Sequence, residues 1–461
     1  MKRTSPIKLI LFLALLVFSW SCRDKEDSLP AVDPGSNAAV NRWIYSIMEE
    51  AYLWLENLGT PISENSTPED YFESLLYRTA DRFSVIYADY EELLNSLSGI
   101  TLEAGYEFIL YKEGENNVIA EISYVKKNSP ASQAGLKRGD IIYTINGTQM
   151  TVDNFAEVLA NISSTHSIEY LRYNETSKAY EDQGSLSLTP IQLAEDPNFL
   201  DSIYTIDNQK IGYVVYHFFA PGPGDNSTLY DDEMDAVFAN FKAQNIDHLI
   251  VDFRYNGGGY VSSAVNLASL IAPGVSSTSV FSKTKFNSFL MGYDELKNVQ
   301  TTFKQKAENL GNTLSGNRVY ILTSRRTASA SELIINGLKP YMDVFLIGDV
   351  TVGKNVGSIP FQDEKNDQNK YGILPIVTQS FNSLDQSDYS NGFNPNITAK
   401  ENSERMRPLG DVNELLLRTA IAEITGTAPS GRFQQLNRKD IESTLDHKVR
   451  SGRMIEHLDI R

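Results

Sequence analysis

The 461-residue chain sets 41 Lys and Arg against 59 Asp and Glu, a formal charge of −18 that excludes nucleic acid and other polyanions as natural partners. Its 41% hydrophobic content is enough to bury two or three separate cores. A single cysteine, Cys22, excludes an internal disulfide framework.

Lys2, Arg3 and Lys8 precede an apolar run from Leu9 to Trp20, followed by Ser21 and Cys22. A charged start, a short apolar stretch and small residues near the cut predict a secretory signal over 1–21. Cys22 stands where a bacterial lipobox, which this segment resembles, has the thiol that is lipidated after cleavage. Trp20 is an atypical neighbour for that motif, so an uncleaved anchor is the alternative. Residues 22–36, with Pro30, Pro34 and Gly35, read as a flexible tether. Its acidic start, Asp24, Glu26 and Asp27, resembles the export signal of some bacterial surface lipoproteins and leaves either membrane face open. No second apolar run is long enough to span a bilayer.

Residues 37–97 carry helical periodicity, with Val40, Trp43, Ile44, Ile47 and Met48 on one face and Tyr52, Trp54 and Leu55 beyond; such a stripe is core and carries no chemistry. Residues 98–197 are β-rich. Val118 to Val125 and Ser167 to Arg172 are strand-like, and Ser129 to Gly147 reads as a short helix, a glycine turn, a strand and a hairpin turn. A second helix is predicted from Val152 to Ile162.

The chemistry is concentrated in residues 198–425. Ile246 to Phe253 reads as a buried strand that runs into Arg254-Tyr255-Asn256-Gly257-Gly258-Gly259, where glycines allow close backbone approach and free N–H groups can hold an oxyanion. The spacing lacks the signatures of a nucleotide loop. Next come a strand from Val319 to Thr323, a turn from Ser324 to Ala328 and a helix from Glu332 to Leu338, which set Ser329 at a helix N-terminus beside the amide of Ala330. A further strand from Met342 to Gly348 returns the chain to the same sheet edge at Lys354, 25 residues after Ser329. A serine and a lysine so placed make a nucleophile and a base without histidine, provided burial or a nearby cation keeps the lysine neutral. Of the five histidines, His217, in a buried strand from Ile211 to Phe219, is the alternative base, although a strand histidine is more often a core residue. Asp363 to Tyr371 reads as a hairpin loop and Val412 to Ile424 as a helix. Residues 426–461 read as either a short packed helix or a mobile tail.

Asp252-Phe253-Arg254-Tyr255-Asn256-Gly257-Gly258-Gly259, Ser329-Ala330-Ser331-Glu332 and Gly353-Lys354, in that order, resemble the carboxyl-terminal processing (tail-specific, tricorn-related) serine peptidases of family S41. The resemblance covers residues 40 to 425 and implies an α/β multidomain chain. Its parts would be a small helical N-terminal segment, a PDZ-like β-module and a mixed α/β protease domain of ClpP/crotonase type. It implies Ser329 as nucleophile, Lys354 as base, and the amides of Ala330 and of Gly258 or Gly259 as the oxyanion hole, with no metal and no cofactor. Where these proteases often place a glutamine four residues after the lysine, this chain has Ser358; Gln362 and Gln379 are alternative orienting groups.

The stretch from Ser129 to Gly147 resembles the PDZ domain of the same proteases, which adds a peptide to a sheet edge and holds its terminal carboxylate on backbone amides. The corresponding loop here is Gly105-Tyr106-Glu107-Phe108, with Glu107 where many PDZ domains have glycine and where it would repel that carboxylate. The expected function is a membrane-anchored, extracytoplasmic endopeptidase acting on a polypeptide. A non-catalytic peptide- or ligand-binding protein on the same fold, or a PDZ-led assembly factor, is the competing expectation.

Overall fold

The structure, a computed structural model, describes residues 33–224, 226–427, 435–436 and 438–456. The predicted signal, Cys22, nearly all of the tether and His457 lie outside the described residues.

Ser36 starts the helix Asn37–Ala51 by accepting the Ala39 N–H on its Oγ at 3.3 Å, and Thr67 with Pro68 in the first turn starts Pro68–Leu75. Their apolar faces (Val40, Ile44 and Met48; Tyr71, Phe72 and Leu75) share one core with Ile359, Phe361, Ile373 and Val377. The segment is therefore a wall of the larger domain. The loop that leaves it is pinned by Asp81, whose Oδ1 accepts the N–H groups of Phe83 and Ser84, both at 2.9 Å, and whose Oδ2 accepts the Tyr52 hydroxyl at 2.8 Å.

The β-module is an antiparallel sheet in the order Tyr106–Glu113, Asn117–Val125, Ile141–Ile145, His166–Asn174 and Ala179–Leu188. Period-two alternation sends Phe108, Leu110, Ala120, Ile122, Ile142 and Ile168 to one side, where they bury with Val158. Val158 lies on the helix Phe155–Ala160, shorter than the predicted 152–162 because Asn154 Oδ1 takes the Thr151 N–H at 2.7 Å in a turn. A two-stranded neck, Ile100–Glu103 with Ile191–Ala194, joins the module to the larger domain.

That domain is built on a six-stranded sheet in the order Asn198–Ile206, Gln209–Tyr216, His248–Asp252, Arg318–Thr323, Asp343–Gly348 and Ile397–Thr398. The first two strands form a hairpin turned by Asp207 and Asn208, both at positive φ, and the others run parallel. Ile211, Tyr213 and Val215 bury against the helix Leu415–Thr425, while Val214 and Tyr216 bury against the helices Leu229–Ala243, Val261–Ile271 and Ala330–Leu338. Both faces are covered, which is what parallel strands with helical crossovers require. The loops after Asp252, Thr323 and Gly348 all leave the same edge, so three adjacent carboxyl ends converge on one place.

A second sheet stands beside it, in the order Gly258–Tyr260, Arg453–Ile455, Val356–Ser358, Ile376–Asn382, Val280–Lys285 and Val299–Thr302. Its second strand corrects the reading of residues 426–461 as a helix or mobile tail. Among the described residues this part of the chain forms two strands, Asp440–Ser443 and Arg453–Ile455, joined by a 3₁₀ turn at Thr444–His447. Both strands pair with partners distant along the chain, Asp440 with Tyr111 and Arg453 with Gly258, so local periodicity carried no sign of them.

Candidate active site

Ser329 sits at the sharp turn between the strand Arg318–Thr323 and the helix Ala330–Leu338, with φ 63° and ψ −113°. A non-glycine residue there is strained and persists only where its surroundings hold it. The glycine loop does the holding: Asn256 O accepts the Ala328 N–H and the Ser331 hydroxyl, both at 3.1 Å, and Phe253 O accepts the Thr327 hydroxyl at 2.8 Å. Ser329 Oγ is buried and, among the described residues, has no hydrogen-bond partner. The Ala330 N–H lies in the first helical turn, where intrahelical acceptors are lacking.

Glu332 joins the serine to the lysine. Its Oε2 accepts the N–H of Ser329 and of Lys354, both at 2.8 Å, and its Oε1 accepts the Gly353 N–H at 2.7 Å and the Thr351 hydroxyl at 2.6 Å. Burial lifts its pKa above the ordinary carboxylate value against the pull of these four donors. A glutamine would turn an NH₂ group toward two of them, so Glu332→Gln should cost about 3 kcal/mol of stability in urea unfolding. An unchanged midpoint would refute this account of the joint.

Lys354 is fully buried. Burial pushes its amine well below the ordinary lysine value; nearby Arg453 adds to this, while Asp81 and Glu332 oppose it. Nζ donates to Gly452 O at 2.6 Å and lies 4.8 Å from the centroid of the Phe83 ring. Arg82 braces the same turn, its Nη2 donating to Gly353 O at 3.2 Å. The expected third member is not placed on the lysine. Ser358 is buried near it in sequence, yet among the described residues its Oγ has no hydrogen-bond partner. Gln362 is exposed at the end of the strand Phe361–Gln362, and Gln379 Nε2 reaches Ser387 Oγ at 3.5 Å. Among the described residues the lysine is held by Phe83 and a carbonyl instead.

Gly258 adopts φ 108°, and a Cβ there would come within 2.7 Å of Ser329 Cβ and 2.3 Å of Arg453 O. Only glycine lets this backbone lie against the serine. Its N–H donates to Asn256 Oδ1 at 2.9 Å, and its carbonyl accepts the Phe219 N–H at 2.9 Å. Gly259 is bridged to Phe219. Of the expected oxyanion donors, the Ala330 amide is bonded to no group among the described residues and the Gly258 amide is turned to a side chain.

His217 does not belong to this group. It lies just past the strand Gln209–Tyr216, packed against Tyr124 and Phe199 at ring separations of 3.9 and 4.5 Å, with Nδ1 3.7 Å from Glu195 Oε1. Burial lowers its pKa, as expected of a core histidine. In the loop Gly105-Tyr106-Glu107-Phe108, Gly105 O accepts the Lys126 N–H at 2.9 Å, and Glu107 is buried with Lys126 Nζ 2.8 Å away. Sequence reasoning passed over Phe83, Asn256 and the joining role of Glu332. The last had a readable signal in the Ser329-x-x-Glu332 spacing of a capping box.

The chain matches peptidase family S41 over residues 210–399, the peptidase S41 N-terminal domain over 39–85 and a PDZ domain over 121–172. Over 387 residues it is 21% identical to the carboxy-terminal processing protease CtpB of Bacillus subtilis, an alignment covering 82% of this chain and 69% of that protein. It is 25% identical over 316 residues to a carboxyl-terminal-processing protease of Synechocystis sp., covering 67% of this chain and 62% of the other. A solved Bacteroides fragilis protein assigned to the S41 proteases has the same fold, with a TM-score of 0.70 at 28% identity over 84% of this chain and 98% of the other.

Proposed function

The chain belongs to peptidase family S41, with that family's N-terminal domain and a PDZ domain, and we propose that it cleaves polypeptides by a serine–lysine mechanism outside the cytoplasm. The observation that carries the mechanism is the single buried carboxylate of Glu332, which ties the backbones of Ser329 and Lys354 together. In this reading the neutral Lys354 amine takes the Ser329 hydroxyl proton as Oγ attacks the peptide carbonyl. The Ala330 amide and, once freed from Asn256, the Gly258 amide hold the oxyanion. The leaving amine departs with the proton from Lys354, and water then resolves the acyl-enzyme. Depression of the lysine pKa supports the base role, since an ordinary ammonium has no lone pair to offer.

Export and anchoring rest on Lys2, Arg3, Lys8, the apolar run to Trp20 and Cys22. Among the described residues no helix is long and apolar enough to cross a membrane. In this reading a lipid on Cys22 is the anchor, and the PDZ domain delivers the polypeptide, as befits a relative of enzymes named for carboxy-terminal processing.

A fluorophosphonate reagent followed by peptide mass mapping tests the mechanism. Modification at Ser329, lost in Lys354→Met, is the expected result. Modification at another serine, or reactivity independent of Lys354, would overturn it.

A further inference from the structure

Three strands meet at the candidate site, and one is out of place. Gly258–Tyr260 follows the glycine loop and Val356–Ser358 follows Lys354, yet these two share no direct pairing; Arg453–Ile455 fills the slot between them, parallel to both. The slot is as wide as one extended chain. Resting on the peptidase reading above, we propose that residues 440–456 lie in the substrate channel as an intramolecular blocking strand and that the enzyme is switched on by their release.

The segment touches each part of the channel in turn. Asp440–Ser443 adds antiparallel to the outer edge of the β-module at Tyr106–Glu113, Ser443 Oγ donates to Phe108 O at 2.7 Å, and Thr444 Oγ1 accepts the Phe108 N–H at 3.1 Å. This is strand addition beside the loop expected to bind peptide. Beyond the turn, Lys448 Nζ lies 2.5 Å from Glu103 and 3.0 Å from Glu107, and Arg450 lies 2.5 Å from Glu195. Gly452 and Arg453 then reach the site itself. Met454 and Ile455 bury into separate apolar clusters, as alternate side chains of an extended peptide do in subsites.

Charge shows that the surface is made for a visitor of this kind. Glu103, Glu107 and Glu195 converge on Lys126 Nζ at 2.5, 2.8 and 2.7 Å. Apart from the segment, one ammonium faces three carboxylates. Lys448 and Arg450 supply the two missing positive charges, and Asp446 in turn meets Arg326 at 2.9 Å. Removing such partners leaves buried charge uncompensated, which makes the acidic cluster a strong binder of a basic strand.

The strand also disarms the chemistry. The carbonyl of Arg453 packs against Gly258, the same glycine that lies against Ser329, so the strand runs past the serine as a substrate would. Yet Lys354 Nζ is drawn to Gly452 O and the Gly258 N–H to Asn256, while among the described residues Ser329 Oγ has no hydrogen-bond partner, so the amine is not joined to the serine hydroxyl. A chain so bound meets a serine that is not joined to its base and an incomplete oxyanion hole, so the segment occupies the channel without being cut.

The test compares the full chain with a form ending at residue 435 and with the full-length double variant Lys448→Glu/Arg450→Glu. The readout is the rate at which a fluorophosphonate labels Ser329. If the closed state holds about nine molecules in ten, the shortened form should label about tenfold faster, with the double variant in between. A synthetic peptide of residues 440–456 should return the shortened form to the slow rate, and a scrambled peptide should not. Equal labelling of the full chain and a shortened form that keeps a single melting transition would overturn the proposal. If the shortened form does not fold, unchanged labelling of the double variant overturns it equally. Absence of labelling in every form instead counts against the peptidase reading. Occupancy is then judged by fluorescence anisotropy of the labelled 440–456 peptide on the double variant carrying Ser329→Ala, where binding no better than that of the scrambled peptide sinks the proposal.

Discussion

Ser329→Ala should bring peptide hydrolysis down to background, a loss of about 10⁴-fold or more in kcat, while shifting stability by less than about 0.5 kcal/mol. The two effects separate because, among the described residues, the buried Ser329 Oγ has no hydrogen-bond partner: removing it takes away the nucleophile and no hydrogen bond of the fold. The alanine keeps the Cβ and with it the strain of φ 63°. Ser329→Gly relieves that strain, so it should be equally inactive and more stable than Ser329→Ala by about 1 kcal/mol or more, read from urea unfolding. A glycine variant no more stable than the alanine variant would mean that the turn is unstrained. Residual hydrolysis in both would mean that another group attacks.

That the turn is strained was not legible in the sequence, although its place was. β-Branched and aromatic residues marked the strand that ends at Thr323, and Ser324 to Ala328 read as the turn that leads to Ser329. The conformation of Ser329 depends on Asn256 and Phe253, which reach it from a different loop. Sequence also brought Lys354 back to the same edge, because a strand, a helix and a parallel strand return the chain there whatever the details. What holds the lysine could not be read. Phe83 arrives from the N-terminal segment and Gly452 from a stretch whose strands have partners only in tertiary space. Ser358, chosen for its spacing from the lysine, lies in a strand whose backbone pairs with Ile376 and Ile455, and its hydroxyl forms no bond with the amine. Spacing along a chain fixes which face of a strand a side chain takes, and it does not fix what stands opposite.

Lys354→Met should lower hydrolysis by about 10² to 10⁴-fold, the range over which a general base contributes, and should change the pH dependence of folding in a defined direction. The lysine is depressed below its ordinary 10.5 in the folded protein, so between the folded and unfolded values the unfolded chain binds one more proton. Stability of the unaltered protein therefore rises with pH across that interval, and the methionine variant lacks this rise. The variant forfeits the bond to Gly452 O, worth about 1 kcal/mol at every pH. Its stability relative to the unaltered protein should therefore be most favourable near neutral pH and decline steadily toward pH 10.5, as measured by urea unfolding at several pH values. The same depression sets the enzyme's rising limb: kcat/KM should climb as the amine loses its proton and level off below 10.5. Lys354→Arg, which fills a similar space with a permanent charge, should be inactive and less stable than the methionine variant, because a guanidinium in this pocket cannot neutralise itself. A stability difference between the methionine variant and the unaltered protein that is flat with pH would place the amine's pKa at its solution value and remove the case for Lys354 as the base.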